Sequence, residues 1–437
     1  MATPIGTSLP ESRWARLTIV MLLYFMQGVP TGLILIAIPA WLAANGASPL
    51  TVSAYVGTAM FPWSIKLFMG LVMDRFTFRP MGRRRSWILF AQTGMVLAFI
   101  SLAVISPTAD QVEVVTALAF ALVLSAVFND VAVDSMTIDL VPHEERATVN
   151  SAMFATQTVG ISASGFMSGQ LLASVGMLPV AVGLGICVAL TSIIIMLFRE
   201  RPGERLLPWT RGEASAECLA LQHEAWGPIF KGIGRALRNP ATLLFIVGMA
   251  LSYVAFAFTD AVAPTLAVQQ LGWSDSDYSQ YASLIRLISA GFVAIATTLI
   301  VKWIGIRRAM LAIGAVIISA SLFGALTYSG WEGGRTFATL YALQYGFALL
   351  LQIILIVWAM RLCNPAVAAS LFAMFMAMPN FGRSLLSGGS GWVIEGYGYP
   401  GAYMAVVIVM GAALTLCWIG GVGREPKEVE MPDQALV

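Results

Sequence analysis

Long apolar runs decide most of what this chain can fold into. Stretches of about 20 predominantly apolar residues, the length that a transmembrane helix needs, recur from one end of the 437 residues to the other. Only 11% of the residues are charged, whereas a soluble globular domain carries about 25%. A soluble fold is therefore excluded. A membrane β-barrel is excluded as well, because its strands alternate apolar and polar residues over about 10 positions.

The sequence predicts an all-α membrane protein with twelve transmembrane helices in two six-helix halves. The longest polar stretch separates the sixth and seventh predicted spans. We therefore divide the chain into an N-terminal half at 1–198, a cytoplasmic central loop at 199–240 and a C-terminal half at 241–437 that ends in a short cytoplasmic tail. The predicted spans are residues 17–41, 50–72, 86–106, 112–135, 147–174, 177–198, 241–267, 279–303, 309–328, 336–360, 366–392 and 401–421.

Basic residues fix the predicted orientation. Of the 25 Lys and Arg residues, 21 lie in the termini and the even-numbered loops, and only Arg335 lies in an odd-numbered loop. Because Lys and Arg accumulate in short cytoplasmic loops, both termini and the central loop are predicted to be cytoplasmic. The N-terminus runs into the first apolar stretch without a small-residue cleavage site, so we interpret that stretch as a spanning helix and not as a signal peptide.

A charged motif follows the second predicted helix. Residues 70–75 (Gly-Leu-Val-Met-Asp-Arg) are joined by the spacer 76–81 to residues 82–85 (Gly-Arg-Arg-Arg). The stretch resembles the loop between helices two and three of the major facilitator superfamily, in which an Asp-Arg pair precedes a Gly-Arg-Arg run. The spacer is longer than in most of the superfamily, and it looks like the branch that contains the AmpG-type muropeptide permeases and the acetyl-CoA transporters.

Three further motifs extend the resemblance over most of the chain. Residues 27–30 (Gln-Gly-Val-Pro) look like the first-helix motif of this branch, and residues 382–383 (Gly-Arg) look like its eleventh-helix motif. Residues 129–134 (Asn-Asp-Val-Ala-Val-Asp) resemble its fourth-helix motif, with Asn129 where the family usually has Gln. The resemblance implies two halves that rock about a central site, and solutes that range from muropeptides and acetyl-CoA to siderophores.

Several charged residues lie within the apolar spans or at their ends, and one charge costs about 2.5–3.5 kcal/mol at the centre of a helix. Such residues face a partner or a cavity and not lipid. They are Lys66, Asp74, Asp130 and Asp134 in the first half, and Asp260, Arg286 and Arg383 in the second.

The charges of the first half are predicted to form one network near its cytoplasmic end. Asp130 and Asp134 share a helix face because they are about one turn apart, and Lys66 lies at a compatible depth. Three interpretations stay open for them: a structural ion pair, a gate that forms and breaks during transport, and a direct proton-coupling site. We assign Asp74 and Arg75 to the same gating network.

The charges of the second half are predicted to converge in the outer half of the membrane. The guanidinium group presents a planar fork of donors that suits carboxylate and phosphate, so Arg286 and Arg383 indicate an anionic group on a solute. The alternative is that Arg286 pairs with Asp260 only to lower the cost of insertion. We also assign Asp260 to proton coupling.

Polar residues in the apolar spans are predicted to line the same cavity. Each of them either contacts a solute or bonds a neighbouring helix. Together with Arg286 and Arg383, the predicted substrate-binding residues are Tyr24, Gln27, Asn150, Gln157, Tyr253, Gln344, Gln352 and Asn380.

These observations predict a secondary transporter: a proton-coupled importer of a bulky polar or anionic solute, muropeptide-like or siderophore-like, that works by alternating access in the cytoplasmic membrane. The alternatives are a carrier of acetyl-CoA or a related CoA thioester, and a non-transporting membrane sensor or lipid translocator. The sequence has no GxxxxGK[ST], GxSxG or HExxH motif, so neither ATP hydrolysis nor another enzymatic activity is predicted.

No cofactor and no metal are predicted. The four cysteines lie far apart without CxxC spacing, and His143 and His223 both fall in predicted loops. The expected partners are a small solute, protons and the lipid bilayer. A net charge of +2 gives no reason to expect nucleic acid, and we expect a monomer.

Overall fold

The computed structural model describes residues 8–220, 234, 237–331, 334–362 and 368–423. The predicted loop position of His223 and the predicted cytoplasmic tail after residue 423 lie outside the described residues. Within them the secondary structure is helical, with one isolated β-bridge between Ser8 and Arg199.

The first half consists of helices α1 to α6. Ser12 caps α1 by accepting a hydrogen bond from the Ala15 N–H, and Ser48 caps α2 in the same way ahead of Pro49. Helix α2 tightens into a 3-10 segment before it continues as an α-helix. The bounds are α1 Arg13–Ala44, α2 Pro49–Met60 with Phe61–Ile65 and Lys66–Arg75, α3 Arg85–Ile105, α4 Val112–Leu140, α5 Arg146–Val175 and α6 Met177–Met196.

The second half begins after a short helix at Ala216–Ala220 and the central loop. Helix α7 spans Pro240–Gln270 and α10 spans Arg335–Leu362. Two longer helical runs each turn at a glycine with positive φ, a conformation that costs glycine little. Asp275–Thr327 turns at Gly305 (φ 74°) into α8 and α9, and Ala368–Ile419 turns at Gly398 (φ 66°) into α11 and α12.

In the described part of the chain, nine helices are long and apolar enough to cross a membrane, or ten if the bent α2 counts as one span. In the count of nine, Met374–Ile419 is one helix although it contains the turn between α11 and α12, and α5 is not included. The all-α membrane fold is therefore confirmed, whereas the count of twelve spans stays a prediction.

The apolar side chains form two cores. One is built from residues between Leu9 and Ile195 and takes in Ala261 from the second half. The other is built from residues between Phe245 and Val422 and takes in Ile36 and Ala40 from the first half. Each half thus has its own core, and the exchanged residues belong to α1 and α7.

The halves interlock at one end of the bundle, where α2 packs on α11 and α5 packs on α8. A Cβ added at Gly57 would lie 2.7 Å from Gly388 Cα, so only glycine permits this approach of α2 to α11. The Ser384 hydroxyl donates to the Gly57 carbonyl at 2.5 Å, and Gln269 Nε2 donates to the Ala43 carbonyl at 2.9 Å. We call this end of the bundle the closed end.

The predicted orientation places the closed end outside the cell, and cysteine labelling tests it. In a variant without the native cysteines, Glu213→Cys on the central loop is expected to react only with a permeant maleimide. Gln270→Cys, at the closed end, is expected to react with an impermeant one. Both positions are exposed. Equal reaction of both with the impermeant reagent in intact cells would contradict the predicted orientation.

Candidate functional site

Helices α1 and α7, which carry polar or charged residues predicted for the site, depart from regular α-helical geometry close to those residues. Helix α1 contains Pro30 and a π-helical turn at Leu33–Ala37. Helix α7 contains π-helical turns at Phe258–Val262, which includes Asp260, and at Leu266–Gln270. Turns of this kind are frequent at functional sites, because they re-aim side chains and loosen backbone pairing.

Five side chains from α1, α2 and α4 form what we call the N-half cluster: Tyr24, Gln27, Lys66, Asp130 and Asp134. The Lys66 ammonium contacts Asp130 and lies 3.0 Å from Asp134 Oδ2, so it bridges the two carboxylates. The Tyr24 hydroxyl donates to Asp134, and Gln27 donates to Asp130. Lys66 also lies over the Trp63 ring, 5.9 Å from its centroid.

The N-half cluster contains one ammonium and two carboxylates, and it therefore carries one surplus negative charge when all three are ionised. Its members differ in exposure. The Asp130 side chain is 6% exposed, whereas that of Asp134 is 37% exposed. Asp134 is thus the most exposed of the three charged members.

Three side chains from α7, α8 and α11 form the C-half cluster: Asp260, Arg286 and Arg383. Arg286 donates to Asp260 Oδ1 at 2.8 Å, and Arg383 Nε donates to Oδ2 at 2.7 Å. Each guanidinium also lies over an aromatic ring, Arg286 at 4.8 Å from the Tyr345 centroid and Arg383 at 5.2 Å from the Phe256 centroid. Ring faces attract cations and hold both groups in place.

The C-half cluster contains two guanidiniums and one carboxylate, and it therefore carries one surplus positive charge when Asp260 is ionised. The Asp260 side chain is fully buried and that of Arg286 is 3% exposed, whereas that of Arg383 is 15% exposed. Arg383 is thus the cationic member nearest to solvent. Pairing between Arg286 and Asp260, the structural alternative considered above, is present, and it leaves Arg383 as an additional cation.

Asp74 belongs to a separate group of charges at the end of α2. It pairs with Arg84 and, at 3.0 Å, with Arg83, which in turn pairs with Asp139 at 3.1 Å. Arg75 lies over the Phe76 ring, 6.0 Å from its centroid. Asp74 therefore pairs with the loop before α3, and Arg83 connects that loop to α4. Lys66 makes its ion pairs elsewhere.

Glu200, which sequence reasoning missed, holds the start of α3. Its carboxylate accepts hydrogen bonds from the backbone N–H groups of Arg83, Arg84 and Arg85 at 3.1, 2.8 and 2.7 Å. These donors have no partner within the helix, and a carboxylate at this position also suits the helix dipole. Glu200 thereby ties the end of α6 to the loop between α2 and α3.

A pH dependence of stability is expected from Glu204 in the central loop. Burial, followed by the charge of Glu200, raises the pKa of Glu204 from 4.5 to about 7. Because the folded pKa lies above the unfolded one, stability is lost as the pH rises from about 4.5 through 7. Glu204→Gln should therefore flatten the fall in Tm between pH 5 and 7.5, whereas the exposed control Glu213→Gln should not. An unchanged slope in Glu204→Gln would contradict this assignment.

The other predicted substrate-binding residues do not all belong to the two clusters. Gln344 is fully buried and donates to the Ser321 hydroxyl on α9 at 2.9 Å, and Asn380 donates to the carbonyl of Met376 in its own helix. Tyr253 is buried against Phe256, with the ring centroids 5.3 Å apart. Asn150 is exposed, and Gln157 and Gln352 are half-buried.

Some buried amides, and the aromatic residues beside the two arginines, were not assigned to the site from sequence. Tyr345 and Phe256, which lie under the two arginines, have no charge to distinguish them among the 34 Phe and Tyr residues, 23 Phe and 11 Tyr. Asn129 and Gln92 are fully buried, and neither side chain has a hydrogen-bond partner within the described residues. A buried amide in an apolar span is the signal that could have identified both.

Comparison with known proteins agrees with this architecture. Residues 20–387 match the family model described as Major Facilitator Superfamily. The chain belongs to this superfamily. The anhydromuropeptide permease of Escherichia coli (strain K12) is 23% identical over 404 residues, which cover 89% of this chain and 76% of that protein.

Two solved structures show the same fold. A POT family transporter in complex with a thioalcohol-conjugated peptide aligns with a TM-score of 0.70 and 12% identity over 92% of this chain and 95% of that one. A D-xylose–proton symporter aligns with a TM-score of 0.66 and 13% identity over 93% of this chain and 97% of that one. The protein is therefore a multi-pass membrane transporter of the major facilitator type, and its relatives of this type handle small-molecule solutes.

Proposed function

We propose that the protein is a proton-coupled secondary transporter that imports a bulky, polar, anion-bearing solute of the muropeptide class across the cytoplasmic membrane. The observation that carries this proposal is the surplus cation of the C-half cluster. Two guanidiniums share one buried carboxylate, and both bond to it directly. An anionic group of a solute supplies the missing counter-charge.

The energetic argument rests on burial. A buried charge is tolerated when it is paired and its hydrogen bonds are made, and an uncompensated one is strongly destabilising. Asp260 can balance only one of the two arginines. A carboxylate on the solute can accept two parallel N–H donors from Arg383, which is the partly exposed member of the cluster.

Alternating access requires contacts between the two halves that close the path to one side of the membrane while the other side is open. The closed end supplies such contacts, of α2 with α11 and of α1 with α7. With the predicted orientation, the closed end faces the outside, and the solute would leave toward the cytoplasm. The N-half cluster then lies on the cytoplasmic side of the C-half cluster, where its ion pairs would rearrange as the halves rock.

The names of the relatives support the solute class and the driving force. The E. coli relative that covers most of this chain is an anhydromuropeptide permease, and one structural neighbour is a proton symporter. For this chain both properties are part of the proposal. The alternative of a CoA thioester also supplies anionic groups, so the same two arginines would serve it, and the uptake experiment separates the two solutes.

The test is uptake of a radiolabelled anhydromuropeptide into proteoliposomes under an inward proton gradient. We expect accumulation that a protonophore abolishes. Arg383→Gln is expected to lower uptake by roughly tenfold or more, because a charge-assisted, bidentate contact is lost, whereas the exposed control Arg335→Gln should retain it. Uptake of acetyl-CoA in place of the muropeptide, or equal uptake by Arg383→Gln and the wild type, would contradict the proposal.

A further inference from the structure

The two clusters have opposite surplus charges, and each presents the surplus sign at its accessible member. In the N-half cluster the accessible carboxylate is Asp134, and the surplus charge is negative. In the C-half cluster the accessible guanidinium is Arg383, and the surplus charge is positive. One half of the transporter therefore offers an anion, and the other half offers a cation.

The contacts between α2 and α11 give the separation of the clusters along the bundle axis. Ser384 bonds to Gly57, and the Phe381 ring lies 6.5 Å from that of Phe61, so Arg383 is level with residues 57–61 of α2. Lys66 lies five to nine residues farther along α2. At 1.5 Å per residue in an α-helix and 2.0 Å in a 3-10 helix, the N-half cluster is roughly 10–16 Å farther from the closed end.

The contacts between α1 and α7 give an independent estimate, which agrees with the lower end of that range. Both helices end at the closed end, where Gln269 bonds to Ala43. Asp260 precedes Gln269 by nine residues, roughly 14 Å, and Gln27, which bonds to Asp130, precedes Ala43 by sixteen, roughly 24 Å. The difference is roughly 10 Å.

We infer that the transporter selects a dipolar solute, whose cationic amine binds at Asp134 and whose anionic group, at least about 10 Å away, binds at Arg383. This inference rests on the proposed anion site and adds a second, oppositely charged recognition point to it. A free amino acid, whose two charges are separated by little more than one residue, is too short to reach both points. An extended chain of three or four residues is long enough, at about 3.3–3.6 Å per residue.

Asp134 has the capacity to bind an amine. Its carboxylate already accepts the Tyr24 hydroxyl and Lys66 Nζ. An ionised carboxylate has about four acceptor positions, so two remain. An ammonium group has three donors and would neutralise the surplus charge of the N-half cluster, as the anionic end neutralises that of the C-half cluster.

Oligoalanines of two to five residues serve as molecular rulers for this inference. Their binding to the purified protein can be measured by calorimetry at pH 6.5, where the α-amino group, with a pKa of about 7.7–8.0, is charged. We expect binding to strengthen from the dipeptide to the tetrapeptide. N-acetylation of the tetrapeptide should weaken its binding to the wild type by roughly tenfold, because a hydrogen-bonded ion pair is lost.

Two matched variants locate each end of the ligand. Asp134→Asn leaves the neutral pair of Lys66 with Asp130, and Arg383→Gln leaves the neutral pair of Asp260 with Arg286, so both variants should fold. Asp134→Asn should bind the free and the N-acetylated tetrapeptide equally. Arg383→Gln should bind the free and the C-amidated tetrapeptide equally, while it still discriminates against N-acetylation.

The outcomes separate this inference from the proposed function. If the wild type binds the free and the N-acetylated tetrapeptide equally, or binds no oligoalanine, the dipolar site is rejected, while the anion site is still judged by muropeptide uptake and its dependence on Arg383. If C-amidation has no effect on the wild type, the anion site itself is rejected. Equal binding of alanine dipeptide and tetrapeptide would reject the separation of roughly 10 Å.

Discussion

Lys66→Ala is expected to destabilise the protein by about 3–5 kcal/mol, the range for removing one partner of a buried ion pair. Lys66 bridges Asp130 and Asp134, and it is the cation that both carboxylates contact. Its removal leaves two carboxylates on one face of α4, about one turn apart. The surplus charge of the N-half cluster changes from −1 to −2 when both stay ionised.

A second substitution should reverse most of that loss. Lys66→Ala combined with Asp130→Ala leaves one negative charge in the cluster, on Asp134. Lys66→Ala combined with Asp134→Ala also leaves one, on Asp130. Asp134 is the more exposed of the two carboxylates. The double variant that retains Asp134 should therefore recover more fully, because water solvates the remaining charge.

Thermal unfolding in detergent, with expression level as a second readout, measures these effects. Lys302→Ala, at an exposed lysine, is the matched control and should behave like the wild type. Strictly additive losses in both double variants would reject the ion pairs. Recovery of stability without recovery of transport would favour a gating role over a structural one, because only the moving gate needs the full set of charges.

Much of the N-half cluster could be predicted from sequence because its geometry is local to each helix. Two aspartates four residues apart share a face of any α-helix, and an intramembrane lysine must find a carboxylate. The structure places Lys66 between Asp130 and Asp134. The structure also pairs Arg286 with Asp260. That pair is predictable because the two residues lie at similar depths along their helices.

The contacts that sequence could not provide depend on where the loops fold. Asp74 was assigned to the gating network because charges at loop ends must rearrange when the cytoplasmic side opens. In the structure its ion-pair partners are Arg83 and Arg84, which the loop before α3 brings to it. Glu200 is far along the chain from the backbone N–H groups whose hydrogen bonds it accepts, so no periodic pattern indicates that contact. Likewise, Gln344 bonds to Ser321, and only helix packing decides between a neighbour and a solute.

The largest effect on transport is expected from Asp260→Asn. In the structure Asp260 is bonded to both arginines of the C-half cluster. An anionic group of the solute competes for the same guanidiniums. When it engages Arg383, Asp260 loses part of the charge compensation that this arginine provides, and an uncompensated buried charge is strongly destabilising. Proton and solute would therefore bind cooperatively, and the linkage is reciprocal.

Asp260→Asn mimics the protonated carboxyl group and keeps its shape, so the variant should still bind the solute and exchange it between the two sides of the membrane. It should lose gradient-driven accumulation, because no carboxylate is left to load and release the proton. Counterflow measures the exchange and uphill uptake measures the coupling, in the same proteoliposomes. Asp110→Asn, at an exposed loop position, is the control and should retain both activities.

Normal accumulation by Asp260→Asn under a proton gradient would mean that Asp260 only neutralises the arginines and that the coupling proton binds elsewhere. The carboxylates of the N-half cluster would then be the next candidates, because Lys66 balances only one of them.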